Sequence, residues 1–440
     1  MSGGAELLRA TILHTPRNPF SEEHALESYA DGGLAIANGR ILAIGDYAAI
    51  SAAHPDAAVT DWRGSVILPG FIDTHTHFPQ TRIIGGLGWP LLDWLRLHAL
   101  PEEARMGDGV YARAVAEEFV DALIRHGTTT ALVFGAHFGE ATEALFQAAS
   151  TAGVRIASGL VVSDRALPEA LCQTPDMAYR ASSDLIARYD GRDGQRYAVT
   201  PRFALSTSEA MLEVCGALMR EHPGMLFQTH INESAEEIAA VRAAFPRAEN
   251  YLAVYDRFGL AGPRSVFAHN VHATDAELAR LAESGATVAH CPCSNSALGA
   301  GIFPMRRHIA AGVRFALGTD VGAGIGFGML KEALHSYMMQ RLIPEDVTLS
   351  PAHLLYLATR AGAEALGLSD ETGDFTPGKS VDLVCLRPPS GTPLASAVER
   401  AETPERALAA LIAQDGAESV REVRVRGAAL ETDRENRPRK

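Results

Sequence analysis

Short apolar runs that end in polar clusters recur along the middle of this chain, separated by stretches with apolar residues at three- and four-residue spacing. The runs are Ser65–Ile72, Thr128–Gly135, Arg155–Asp164, Tyr197–Ser206, Met225–Glu233, Ser265–His272, Ala286–Asn295 and Val313–Asp320. Each is of strand length and strand composition. Between them, segments such as Asp108–His126 and Ser206–His222 have helix-forming composition and helical periodicity. Eight strands alternating with helices over about 250 residues predict an α/β fold, a (β/α)8 (TIM) barrel. In that architecture reactive groups gather at the C-terminal strand ends, which is where the polar clusters fall.

The flanking segments follow another rhythm. Residues 1–68 hold short strand patterns with turn signals, as in Gly32–Ile41, and residues 371–440 do the same, as in Ser380–Leu386 and Val420–Val425. They are expected to pair into one small β-sandwich beside a barrel over 69–370. Two separate appendages would be the alternative.

The polar clusters define a chemistry. The first apolar run leads into His75-Thr76-His77, and residues two apart on a strand share a face, so both imidazoles can reach one ion. The fifth run ends Gln228-Thr229-His230-Ile231-Asn232-Glu233, the sixth holds His269, and the eighth ends at Asp320. A lone histidine near a strand end is more often a hydrogen-bonded core residue than a ligand. Three histidines and an aspartate at one rim are better explained as a metal site, and His75, His77, His230 and Asp320 form a catalytic zinc-type set with room for water. His137, His272 and His290 lie near enough to strand ends to stand behind such a site or in its pocket. The other histidines read as structural or surface residues.

These motifs make the chain resemble the amidohydrolase superfamily, from Ala35–Ile41 to Pro377–Leu383. Narrower strings resemble its guanine deaminases: Pro69–Gln80 with Leu91–Leu95, Thr200–Ser206, Gln228–Glu233, Cys291–Asn295 and Gly318–Gly322. Two-metal members of the superfamily generally bridge their ions with a lysine from the fourth strand. Here that strand ends Val199-Thr200-Pro201-Arg202, and the only lysines are Lys331, Lys379 and Lys440, so one ion per chain is expected. The donor set suits zinc and also ferrous iron.

The resemblance implies hydrolysis of guanine to xanthine and ammonia. A metal in this site would lower the pKa of bound water towards about 7. Glu233, three residues after His230, is expected to shuttle a proton to N3 of the base. Asp320 would pass the water's proton to the leaving amine, and His269 would orient the nucleophile without binding the metal tightly. Arg202 offers a donor fork for the 6-carbonyl, Gln80 both a donor and an acceptor, and Phe203 a stacking face. His77, His230 and Glu233 complete the expected substrate contacts, and Trp89 and Trp94 are candidates to close over the base. One departure concerns His98-Ala99-Leu100, where relatives tend to be rich in aromatics. It bears on selectivity against 8-oxoguanine, ammeline or s-triazine heterocycles, the alternative substrates. A non-catalytic barrel scaffold is disfavoured, because every ligand and the shuttle are present.

Two motifs invite misreading. Cys291-Pro292-Cys293 lacks the spacing and the H-x-E partner of a cytidine-deaminase zinc clamp and reads as a buried strand end. Gly322–Gly328 lacks the Lys-Ser/Thr of a P-loop and reads as a flexible rim loop. Bulk properties narrow the partners. A net charge of −14 argues against general nucleic-acid binding, and no apolar run approaches membrane-spanning length. Five scattered cysteines and no signal-peptide core at the N-terminus point to the cytoplasm, and the resemblance suggests a homodimer.

Overall fold

A computed structural model describes residues 4–344, 347–414 and 416–431; Lys440 and the first three residues lie outside them. Eight parallel strands follow one another around a barrel: Phe71–His77, Thr128–Phe134, Arg155–Gly159, Arg196–Pro201, Leu226–Ile231, Ser265–His269, Thr287–His290 and Arg314–Leu317. Ladder pairing runs unbroken from the first to the eighth. The remaining seam is closed at the site itself: the Asp320 amide donates to His75 O at 2.8 Å and the His77 amide to Val321 O at 3.0 Å. Thr74 Oγ1 adds a bond to Leu317 O.

Helices form where the sequence supplies caps. Asp108 accepts from the amides of Val110 and Tyr111 to start Gly109–Arg125, and Ser208 accepts from Met211 to start Glu209–Glu221. Their inner faces bury Val115, Phe119, Leu123 and Met211, Leu212, Cys215 in the barrel's main core.

The strands are shorter than the apolar runs, and the reason lies in their polar tails. Asn232, His269, Asn270 and Asp320 all take left-handed backbone conformations, with φ of 50°, 73°, 49° and 49°. His269 is the last residue of its strand, and Asn232, Asn270 and Asp320 lie past the ends of theirs, so the chain bends where each ladder stops. The run Ala286–Asn295 likewise divides into the strand Thr287–His290 and the helix Pro292–Ala297.

The first run needs a larger correction. Ser65–Ile72 is not one strand leading to the histidines. Its first part ends the strand Ala58–Pro69, which pairs with Glu6–His14 and Leu383–Leu386 outside the barrel. The barrel strand begins at Phe71, after Gly70. A Cβ at Gly70 would lie 2.3 Å from the Thr129 side chain, so only glycine lets the chain pass from one sheet to the other.

The N- and C-terminal segments do pair. They make one continuous mixed sheet of seven strands, in which Val420–Val425 and Leu383–Leu386 join Ala58–Pro69, Glu6–His14, Glu27–Ala37 and Arg40–Asp46. Leu8, Ile12, Leu34, Ile41, Trp62, Ile67, Val381 and Leu383 form a core of its own.

Candidate active site

His75 and His77 arrive on the first strand, His230 on the fifth, and Asp320 just past the eighth; all four are buried. His77 Nε2 lies 3.3 Å from both His75 Nε2 and His230 Nε2, and Asp320 Oδ1 is 3.2 Å from the Nε2 atoms of His75 and His77. Four donors held at about 2.0–2.1 Å on a tetrahedral ion stand about 3.3 Å apart, so these separations are those of a metal's ligand shell. The tautomers agree. His230 donates its Nδ1 proton to Arg202 O at 2.6 Å, which turns an unprotonated Nε2 towards the cluster. Facing lone pairs of this kind are compensated by a cation, and the residues fit one.

Electrostatics point the same way. Burial pushes His75 and His230 below the usual imidazole value and His77 down to about 3. All three are therefore neutral near pH 7. Burial works to raise Asp320, but its carboxyl, which faces the His75 and His77 imidazoles, is held well below its ordinary value.

His269 stands one step out. Its Nδ1 meets Asn295 Oδ1 at 2.9 Å, while Nε2 lies 3.5 Å from Glu233 Oε2 and 3.8 Å from Asp320 Oδ2. Its donor atom still falls in a group with His75, His230 and Asp320 whose members lie within 4.8 Å of one another. Glu233 faces the same space. Burial, with added repulsion from Asp320 and Glu237, raises its carboxyl well above the ordinary range.

The pocket opening onto these groups is lined by the polar Gln80 and Arg202 and by Leu91, Trp94, Leu95, Phe203, Leu298 and Ala323. Trp94 is buried, whereas Trp89 is 41% exposed and does not line the pocket. Leu91, Trp94 and Leu95 belong to a short helical cover, Leu91–Trp94 followed by a π-helical turn, Leu95–Ala99.

Other expectations resolve into supports. His137 stands 3.5 Å from Glu103, His290 meets Ser336, and His272 meets Ala300 O. Cys291 and Cys293 are buried and form no disulfide. The glycine-rich loop builds the site rather than a phosphate cradle: the Gly322 amide donates to Gln80 Oε1 and the Gly324 amide to Asp320 O.

Two participants were not singled out from the sequence. Asp73 binds the amides of His75 and Thr319 and the Thr319 hydroxyl, tying the first strand to the eighth beside both ends of the ligand set. Burial lifts its carboxyl to about 6. Glu103 accepts from Gln80 and Arg202 together. Its only signal is an acidic pair, Glu102-Glu103, after a proline; Glu102 turns instead to Tyr111 and Arg105.

The amidohydrolase family profile matches residues 66–429, more than four-fifths of the chain. The chain belongs to the amidohydrolase family. A bacterial imidazolonepropionase-like composite domain also matches residues 32–57, in the small sheet. Among amidohydrolase relatives, a probable guanine deaminase of Deinococcus radiodurans is 54% identical over 431 residues, covering 97% of this chain and 98% of that protein. The guanine deaminase of Escherichia coli is 39% identical over 401 residues, covering 90% and 91%. The solved Escherichia coli guanine deaminase superposes with a TM-score of 0.92 at 35% identity, over 98% of this chain and 99% of that one.

Proposed function

We infer that this amidohydrolase deaminates guanine hydrolytically, giving xanthine and ammonia in purine catabolism. What supports it is the juxtaposition in one pocket of a buried three-histidine, one-aspartate cluster, the buried carboxyl of Glu233 and the Arg202–Gln80 pair. The similarity to guanine deaminases over nearly the whole chain supports it.

One divalent ion per chain, zinc by preference and ferrous iron as the alternative, would be held by His75, His77, His230 and Asp320. When bound it lowers the pKa of a water towards about 7 and supplies the nucleophile at neutral pH. The protein's own groups do the rest. Glu233 gives its proton to N3 as oxygen adds to C2, so that negative charge does not build on the ring. Asp320 accepts one proton of the water and returns it to the departing 2-amino nitrogen, which leaves as ammonia as the C2–N bond breaks; the remaining hydroxyl proton passes to Glu233 as the C2 carbonyl forms, which recharges the shuttle. His269, held through Asn295, orients the incoming oxygen. Arg202 donates to the 6-carbonyl, Gln80 reads the purine edge, and Phe203 packs against the base beside His77 and His230.

The rest of the reading concerns context. The chain divides into a barrel over 69–370 and a small domain from 1–68 and 371–440, supported by the change of sheet at Gly70. It works in the cytoplasm as a homodimer on a small purine, without nucleic acid or membrane as partner. Its acidity counts against nucleic acid, five cysteines without a disulfide favour the cytoplasm, and none of the described helices is long and apolar enough to cross a membrane.

A substrate panel tests the pocket. Ammonia release from guanine should exceed that from 8-oxoguanine, ammeline, adenine and cytosine by at least about tenfold in kcat/KM. A higher value for any of the others would keep the chemistry and replace the substrate.

A further inference from the structure

Glu103 sits on the short helix Leu100–Arg105, is 5% exposed, and does not itself line the pocket. One of its oxygens, Oε1, accepts from Gln80 Nε2 at 2.8 Å and from Arg202 Nη2 at 2.9 Å. The other faces His137 Nδ1 at 3.5 Å. The three bonded residues come from separate parts of the barrel mouth: Gln80 from the turn after the first strand, Arg202 from the end of the fourth, and Glu103 from the cover.

This arrangement has two consequences. Gln80 is pinned at both ends, because its NH2 meets a carboxylate while its Oε1 accepts the Gly322 amide at 3.1 Å. Flipping the amide would set oxygen against carboxylate and N–H against N–H, so its orientation is fixed. Arg202, 3% exposed, has a buried counter-charge, and its Nε–H is left without a protein partner. A buried guanidinium that is neutralised from behind and has a donor in hand is preorganised for an acceptor on a ligand.

We propose that Glu103 is a positioning residue that sets base selection: without touching the base, it locks Gln80 and Arg202 in the pose that reads the 6-carbonyl edge. The proposal rests on the guanine reading above.

The test measures kcat and KM separately for guanine and for 2-aminopurine, which keeps the reacting amino group and lacks the 6-oxygen, with metal content recorded for each protein. Glu103→Gln preserves shape and removes the charge. It should raise KM for guanine at least about tenfold with kcat within about threefold, and lower the guanine/2-aminopurine ratio of kcat/KM by about tenfold, at unchanged metal content. Glu103→Asp, one methylene too short to reach both donors, should lower the same ratio and decides the matter if the first variant does not fold. An unchanged ratio in metal-replete protein would overturn the proposal. So would an equal loss on both bases, which is what a merely structural brace would give. A wild-type enzyme that shows no preference for guanine over 2-aminopurine would overturn the proposal and the guanine reading together.

Discussion

Glu233 and Glu332 are both fully buried carboxyls whose pKa burial raises, and they are raised to different ends. Glu233 opens onto the pocket beside His269, where a proton can pass to a bound base. Glu233→Gln should therefore retain its metal and lose nearly all turnover, by about a thousandfold or more; near-wild-type rates with metal bound would remove the shuttle. Glu332 accepts from the Cys293 amide at 3.1 Å, away from the pocket lining, and is pushed from 4.5 up to about 8. For a raised acid, the stability it contributes is complete below 4.5 and is lost as pH climbs to about 8, by about 1.4 kcal/mol per pH unit. Thermal melting from pH 6 to 9 should show Glu332→Gln gaining on the wild type up to about pH 8 and levelling off above it; parallel curves throughout would mean that Glu332 is ionised in the fold. Legibility differed in the same way. His75, His77, His230, Glu233 and Asp320 were visible because strand ends converge in a barrel. Glu103 and Asp73 were not, because their bonds to Arg202 and Thr319 span 99 and 246 residues and no local pattern announces them.

At the scale of elements, the alternation of strand and helix was plain in the sequence and the strand ends were not. Apolar runs continue into residues that take left-handed conformations, and nothing in the identity of His269 or Asp320 marks that turn. Nor does hydrophobicity show that Val66–Pro69 and Phe71–His77 belong to different sheets, since both are buried. The cover is an element of another kind. Leu91, Trp94, Leu95 and Ala99 pack with Phe203, Leu298 and Ala323 in a small cluster apart from the main core. Local units of this sort contribute little to global stability and much to the site they close. Trp94→Ala should thus cost about tenfold or more in kcat/KM for guanine while melting within a few degrees of the wild type. A large melting shift with unchanged kcat/KM would make Trp94 a core residue.

For the whole molecule, the sequence foretold a barrel and a second unit shared by both chain ends. The single seven-stranded sheet could not be foreseen, because strand order depends on pairings between residues hundreds of positions apart. The barrel's last seam is closed by the amides of His77 and Asp320, the residues that would share a metal. Binding there links folding to catalysis, so stripping the protein with a chelator should lower its melting temperature by about 5 °C or more, and zinc should restore it. An unaffected melting curve would detach the metal from the fold. The most direct test of the central claim is the rate of xanthine formation from guanine, followed as metal is restored to stripped protein. Activity should be absent without metal and should rise to saturation at one ion per chain. Saturation at two ions, or metal-replete protein that forms no xanthine, would contradict it.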